Sequence, residues 1–123
     1  MSSNYTVYTK GNSDVVLQLL KDFLDIELSP SPHDEAVLWG EWVLVPVTFT
    51  AQNNMIDDMD IAFSEFPVSI DFSRSASQGD ADLRASLCEV TARLFGRHLY
   101  RVTGQPNIVV RDEQAIVEQN PGV

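Results

Sequence analysis

The 123 residues of this chain, 44% of them hydrophobic, suffice for one core and leave no room for a second, so a single domain over 1–123 is predicted. The formal net charge of −10 disfavours binding to nucleic acid or to anionic lipid, because both carry phosphate charges of the same sign. The single cysteine excludes an internal disulfide, and no apolar run reaches the roughly 18 residues of a membrane span, so we expect a cytoplasmic protein.

The first part of the chain combines strand and helix patterns. Residues 5–10 are rich in β-branched and aromatic side chains, which predicts a strand. A helix with a serine N-cap is predicted over about 13–25, where apolar residues recur at helical spacing. Residues 36–51 predict a long strand that a hairpin or bulge near Gly40 divides, and Pro46 favours an edge strand or a bulge.

The middle of the chain predicts two strands and a second helix. Apolar and polar residues alternate over 59–64 and again over 68–73, which is typical of strands with one buried face. The second helix is expected over about 80–95, with Gly96 just past its end. Its apolar stripe is predicted to be Leu83, Leu87, Val90 and Leu94.

The last segments are predicted to be two short strands, 98–103 and 108–111, followed by weakly structured residues and a frayed tail at about 119–123. The order strand, helix, several strands, helix, two strands favours an α+β fold. We expect a two-layer α/β sandwich, in which a mostly antiparallel sheet carries the two main helices on one face. The other face is then partly open to a partner.

The negative charge is concentrated in one interval, 22–73. Eleven of the 18 acidic residues lie there, and none of the eight basic residues does. Self-repulsion makes such an interval unfavourable unless it has a use, and a basic partner supplies one.

A protein-binding surface is the interpretation that we favour for these acids. Its predicted centre is Asp57, Asp58, Asp60, Glu65 and Asp71, with Glu41, Trp39 and Trp42 as further contributors. Carboxylates speed association with a basic protein, and aromatic anchors supply binding energy. In the alternative interpretation, the two tryptophans belong to the core and the acids only keep the protein in solution.

Catalysis is not expected, because the sequence has no phosphate-binding glycine loop and no nucleophile motif, and no cofactor is implied. Asp58-Met59-Asp60 matches the DxD triplet that binds divalent metal and sugar nucleotide in many glycosyltransferases. A small metal-dependent enzyme using Asp58 and Asp60 is therefore one alternative, and it requires a third ligand. An acidic adaptor, a chaperone or a nucleic-acid mimic is another alternative, with the same charge and size.

Several segments resemble the small cytoplasmic immunity proteins of bacterial polymorphic toxin and contact-dependent inhibition systems. These segments are FPVSIDFSRS at 66–75, the acidic start DADL, the helix text ADLRASLCEVTARLFG and the strand-like HLYRV, so the resemblance covers about 58–111. The resemblance implies a protein without catalytic residues that binds a cognate toxin and blocks its active site or an adjacent surface. The acidic interval would then suit a toxin with a basic substrate groove, most simply a nuclease.

Overall fold

A computed structural model of the chain describes residues 4–34, 36–43, 45–73 and 81–122, with backbone only for 81–85. Within these ranges, one seven-stranded antiparallel sheet carries two α-helices. The helices are α1 (Ser13–Leu24) and α2 (Ala81–Thr103), and the strands are β1 (Tyr5–Thr9), β2 (Ser29–Pro30), β3 (Val37–Trp42), β4 (Val45–Thr50), β5 (Val68–Phe72), β6 (Asn107–Arg111) and β7 (Ala115–Asn120). The strand order across the sheet is β2-β3-β4-β5-β1-β6-β7.

Both α1 and α2 pack on one face of this sheet, which confirms the predicted two-layer sandwich. Their buried residues form one core with the strand residues that point to the same face. That core contains Val16, Leu20 and Leu24 of α1, Cys88, Ala92, Phe95 and Leu99 of α2, and Val7, Val47, Phe49, Ile70, Phe72 and Val109 of the central strands. We call this face of the sheet the inner face and the opposite one the outer face.

Helix α1 follows the sequence prediction closely. Its N-cap is Asn12, one residue before the expected serine, and the Asn12 side chain accepts hydrogen bonds from the backbone N–H groups of Asp14 and Val15. Asp25 ends the helix in the left-handed conformation, with φ 54°.

Helix α2 is longer than predicted, because it continues through Gly96 to Thr103 and includes the segment expected to be a strand over 98–103. It ends before Gly104, whose φ is 71° and whose N–H donates to the carbonyl oxygen of Tyr100 over 2.9 Å. Gly96 is needed for a different reason. An added Cβ there would lie 2.9 Å from Oδ1 of Asn107, so the missing side chain lets α2 approach β6 closely.

The predicted strand over 59–64 is wrong. Residues 51–67 instead connect β4 to β5 and lie over the outer face, and we call them the outer loop. The loop contains a short bridge between Asp58 and Ile61 and a 3₁₀ turn at Phe63–Glu65. The alternating apolar residues have another use. They form a second cluster on the outer face, made of Ile61 and Phe63 with Tyr8, Ile108 and Val110, against which Met55 and Phe66 pack.

The hairpin predicted near Gly40 turns later, between Trp42 and Val45. Glycine is required at position 40 because the segment between α1 and β2 passes close to it. An added Cβ would lie 2.8 Å from the carbonyl oxygen of Glu27. The edge position or bulge suggested by Pro46 is also wrong, since β4 lies between β3 and β5. Pro46 is tolerated because the ladder with β5 starts one residue later, at Val47.

The segment expected to be weakly structured contains the edge strand β7. Asn120, which the prediction placed in the frayed tail, is buried and donates through Nδ2 to Oδ1 of Asn107 over 3.1 Å. A register shift between Val109 and Val110 interrupts the pairing of β6 with β7. This irregularity hides the alternation that identifies a strand in a sequence.

Candidate protein-binding surface

Part of the outer face is left open, because the apolar residues of the outer loop pack on β1 and β6. The open part lies on β3, β4 and β5, where Trp39, Thr48 and Asp71 are register neighbours from strand to strand. Glu41 lies two residues after Trp39 and therefore on the same face. We call Trp39, Glu41, Thr48 and Asp71 the open strip. Trp39 is 48% exposed, a large aromatic side chain left in solvent.

Asp71 places a half-buried carboxylate at the end of the open strip that is nearest to β1. Its carboxylate accepts a hydrogen bond from the hydroxyl of Thr6 on β1. Burial raises the pKa of Asp71, the hydrogen bond from Thr6 lowers it, and the negative charge of Glu113 raises it further, so that the net shift is upward. Burial also raises the pKa of Tyr8, as do the charges of Asp71 and Glu113. The charges of this surface therefore act on one another.

Two acids of the outer loop hold the loop together. The Asp57 carboxylate accepts a hydrogen bond from the backbone N–H of Ser64 over 2.9 Å, and the hydrogen bonds from Ser64 lower the pKa of Asp57. Asp58 accepts from the N–H of Met59 over 2.8 Å. The exposed carboxylate of Asp60 has no side-chain hydrogen bond among the described residues. Of these acids, Asp60 is therefore the most available to a partner.

The tip of the outer loop combines these acids with exposed apolar side chains. Ile56 is 79% exposed and Met59 is 57% exposed. The backbone of Met59 and Asp60 is left-handed, with φ 51° and 63°, in the turn closed by Asp58 and Ile61. Residues 57–62 line a surface depression of about 430 Å³. An apolar side chain of a partner would meet Met59 there, among three carboxylates.

The predicted site residues fall into separate places. Trp39 and Glu41 lie on β3 and Asp71 lies on β5, with β4 between them along the open strip, and Asp57, Asp58 and Asp60 lie at the loop tip. Trp42 packs against the inner core, on the helix side of the sheet. Glu65 lies 3.4 Å from Nζ of Lys10, in an exposed ion pair. The two tryptophans therefore differ: Trp42 packs with the core, as the alternative interpretation expects, and Trp39 faces solvent.

Three surface residues were not anticipated: Ile56, Met59 and Glu113. Met59 was placed in the predicted strand over 59–64, and no pattern in the sequence distinguishes Ile56 as a surface residue. Glu113 lies in the turn between β6 and β7, outside the acidic interval, and no sequence signal connects it with Asp71.

A metal site is not formed by the residues that the structure describes, because no three His, Cys, Asp or Glu side chains come together there. In the same part of the chain, no helix has the length and apolarity required to cross a membrane. Comparison with known proteins assigns no family, because no protein-family model, curated protein or solved structure matches the chain. What the chain does must be inferred from its own surface chemistry.

Proposed function

We propose that this chain is a non-catalytic, cytoplasmic binding protein that neutralises a basic bacterial toxin by covering its active site or an adjacent surface. A nuclease is the simplest such toxin, because its substrate groove carries positive charge to hold phosphates. The observation that carries the proposal is the combination of an exposed aromatic anchor, Trp39, with carboxylates on the same face of the sheet.

The charges of the molecule are distributed unevenly between its two sides. Residues 45–73, which include the outer loop and β5, contain no basic residue, whereas α2 on the other side holds four of the eight bases. A basic protein approaching at random is therefore steered toward the outer face. Electrostatic steering of this kind raises the association rate more than it lowers the dissociation rate.

Binding energy would come mainly from a few apolar contacts. Trp39 on the open strip and Met59 at the loop tip are large side chains that lose their solvent on docking, as residues that dominate protein interfaces do. The acids around them would form charge-assisted hydrogen bonds with arginine or lysine side chains of the toxin.

The decisive experiment uses a toxin domain that the proposal expects to be encoded next to this gene. Its expression in bacteria should arrest growth, and co-expression of this chain should restore growth by direct binding. Trp39→Ala and Asp60→Lys should each weaken binding, and Asp60→Lys should do so mainly by slowing association at low salt. Glu27→Lys is the matched control, because Glu27 is an exposed acid between α1 and β2.

Three outcomes would reject the proposal or redirect it. Absence of binding to the neighbouring toxin domain would reject it. Equal losses for Asp60→Lys and Glu27→Lys would mean that only net charge matters. Similar affinity for several unrelated basic proteins would favour the acidic adaptor or nucleic-acid mimic instead.

A further inference from the structure

The solvent side of the helix layer carries an exposed apolar stripe that belongs to neither hydrophobic cluster of the described residues. The sequence pattern predicted Leu83, Leu87, Val90 and Leu94 as the apolar stripe that α2 buries. Leu87 packs against the core, and the side chain of Leu83 lies outside the described residues. Val90, however, is 53% exposed and Leu94 is 47% exposed. The residues that α2 buries are instead Cys88, Ala92, Phe95 and Leu99. A stripe of helical periodicity that does not face the core is typical of a contact surface.

Helix α1 extends this apolar surface. Val15 and Phe23, about two turns apart on α1, are both exposed, and Phe23 lies on the side that faces α2. The ring of Phe23 is 5.4 Å from that of Phe95 and is stacked 5.1 Å from that of His98. Phe23 therefore joins the exposed apolar residues of α1 and α2 into one surface.

The charges beside this surface are of opposite sign on the two helices. The outward positions of α1 are the exposed residues Asp14, Gln18 and Asp22, and neither aspartate forms an ion pair with any described residue. The outward stripe of α2 continues from Leu94 to Arg97 and Arg101. Arg101 is exposed and likewise has no ion pair in the described part of the chain.

We propose that this surface binds a second copy of the chain, with α1 of each copy against α2 of the other about a two-fold axis. In that arrangement the acids of α1 meet Arg101 of the second copy, whereas Arg97 stays paired with Glu118 of its own copy. The apolar residues of both copies are buried between them. A two-fold axis repeats each such contact, so a self-complementary surface closes a dimer. The outer faces stay exposed at opposite ends, and each dimer therefore offers two independent sites for the basic partner.

Sedimentation equilibrium of the full chain over a range of concentrations and at two salt concentrations tests this inference. We expect a dimer that dissociates on dilution and is weakened by salt. Leu94→Glu should shift the chain to monomer. Val43→Glu should not, because Val43 is equally apolar and 63% exposed but lies at the β3–β4 turn. Circular dichroism should show that both variants are folded.

A charge exchange tests the pairing of α1 with α2 separately. Asp22→Arg and Arg101→Glu should each weaken the dimer at low salt by at least tenfold in the dissociation constant, and the double variant should recover most of that loss. A wild-type chain that is monomeric at every concentration, a dimer that survives Leu94→Glu, or a double variant no tighter than either single one would overturn the inference. Asp60→Lys should leave the dimer intact, so its result separates this inference from the proposed function.

Discussion

Arg97 of α2 and Glu118 of β7 form a two-point ion pair, with Nη2 2.7 Å from Oε1 and Nε 3.0 Å from Oε2. Arg93 adds a third contact, 3.4 Å from Oε1 of the same carboxylate. The Glu118 side chain is only 13% exposed, so this edge strand points a charged residue inward. The ion pair fixes β7 to the helix layer, and an inward charge on an edge strand disfavours pairing with a foreign strand.

Replacing Glu118 by glutamine should make this contribution measurable. Burial acts to raise the pKa of Glu118, but hydrogen bonds from Arg97, Asn120 and Arg93 outweigh it and lower the pKa. An acid whose pKa is lower in the folded state stabilises the fold at pH values above its ordinary pKa. This contribution is lost as the pH falls through the folded pKa. Glu118→Gln should therefore reduce the free energy of unfolding at neutral pH by about 1 kcal/mol, because the pair is partly exposed to solvent.

Urea unfolding at neutral and acid pH would measure that difference. The wild type and Glu118→Gln should converge in acid, and Glu27→Gln, at an exposed carboxylate, should change little at either pH. A loss that persists undiminished in acid would mean that Glu118 acts by packing and not by charge.

Asp71→Asn should have the opposite effect on stability. Because the folded pKa of Asp71 is raised, the folded chain binds its proton more tightly than the unfolded chain does. The wild type therefore loses stability as the pH rises from the ordinary aspartate pKa of about 4 through the raised pKa of the folded state. An asparagine carries no charge and its oxygen still accepts the Thr6 hydrogen bond, so the variant should melt at a higher temperature at neutral pH.

Thermal melts across this pH range would follow the effect, and the advantage of Asp71→Asn should vanish in acid. Asp60→Asn is the control, because Asp60 is exposed. If Asp71 also contacts the proposed partner, the stabilised variant should bind that partner less tightly. Such a trade-off between stability and function is expected where an unfavourable charge is kept at a binding surface.

Gly96→Ala should destabilise the fold although alanine favours helices. On helix propensity alone, the alanine would stabilise α2 by up to about 1 kcal/mol relative to glycine. The added Cβ would lie 2.9 Å from Oδ1 of Asn107 and 3.2 Å from Cγ2 of Val109, and overpacking of a close contact costs roughly 1–3 kcal/mol. Ser86→Ala, at an exposed position of the same helix, should be neutral or slightly stabilising. Chemical denaturation of both variants would show whether the two changes differ in sign.

Phe63→Ala should show that the outer loop belongs to the folded structure. Phe63 is buried, and its ring is tilted at 57° to that of Tyr8 with 4.9 Å between the centroids. Removal of a buried phenylalanine costs about 3–5 kcal/mol. Met59→Ala, at the exposed tip of the same loop, should cost far less. Hydrogen exchange of the Ile61 amide, which donates to Asp58 over 2.8 Å, should accelerate in Phe63→Ala only.

The elements that could be predicted from the sequence are those in which a local pattern agrees with the tertiary environment. The apolar spacing of α1 gave its bounds to within one residue, and the alternation over 68–73 identified β5, whose even-numbered apolar residues are buried. Prediction failed where distant contacts decide the conformation. Gly96 looks like a helix end until Asn107 of β6 is placed beside it, and β7 is recognised as a strand only with its partner β6 in position.

The candidate site could be predicted in composition but not in arrangement. Acids close in the chain were expected to share one surface, yet Asp57 is held by Ser64 within the loop and Asp71 is half-buried beside Thr6. The two tryptophans are three residues apart in one strand, and an odd separation places them on opposite faces of the sheet. The sequence alone did not permit that rule, because a hairpin or bulge was expected at Gly40, and only the pairing with β4 shows that the strand is continuous there.

The position of β1 has a consequence for how the chain acquires its structure. This first strand lies in the interior of the sheet, where it pairs with β5 and β6, so Val7 is the register partner of both Ile70 and Val109. Each of these pairings closes a long loop of chain, and the chain loses conformational entropy on closure before the contact stabilises it. The sheet therefore cannot close around β1 until β6 has been synthesised and has left the ribosome. Until then, the edge of β1 that β6 covers remains unpaired, although β5 already has both of its neighbours, β4 and β1. This is the stage at which the nascent chain is most open to aggregation.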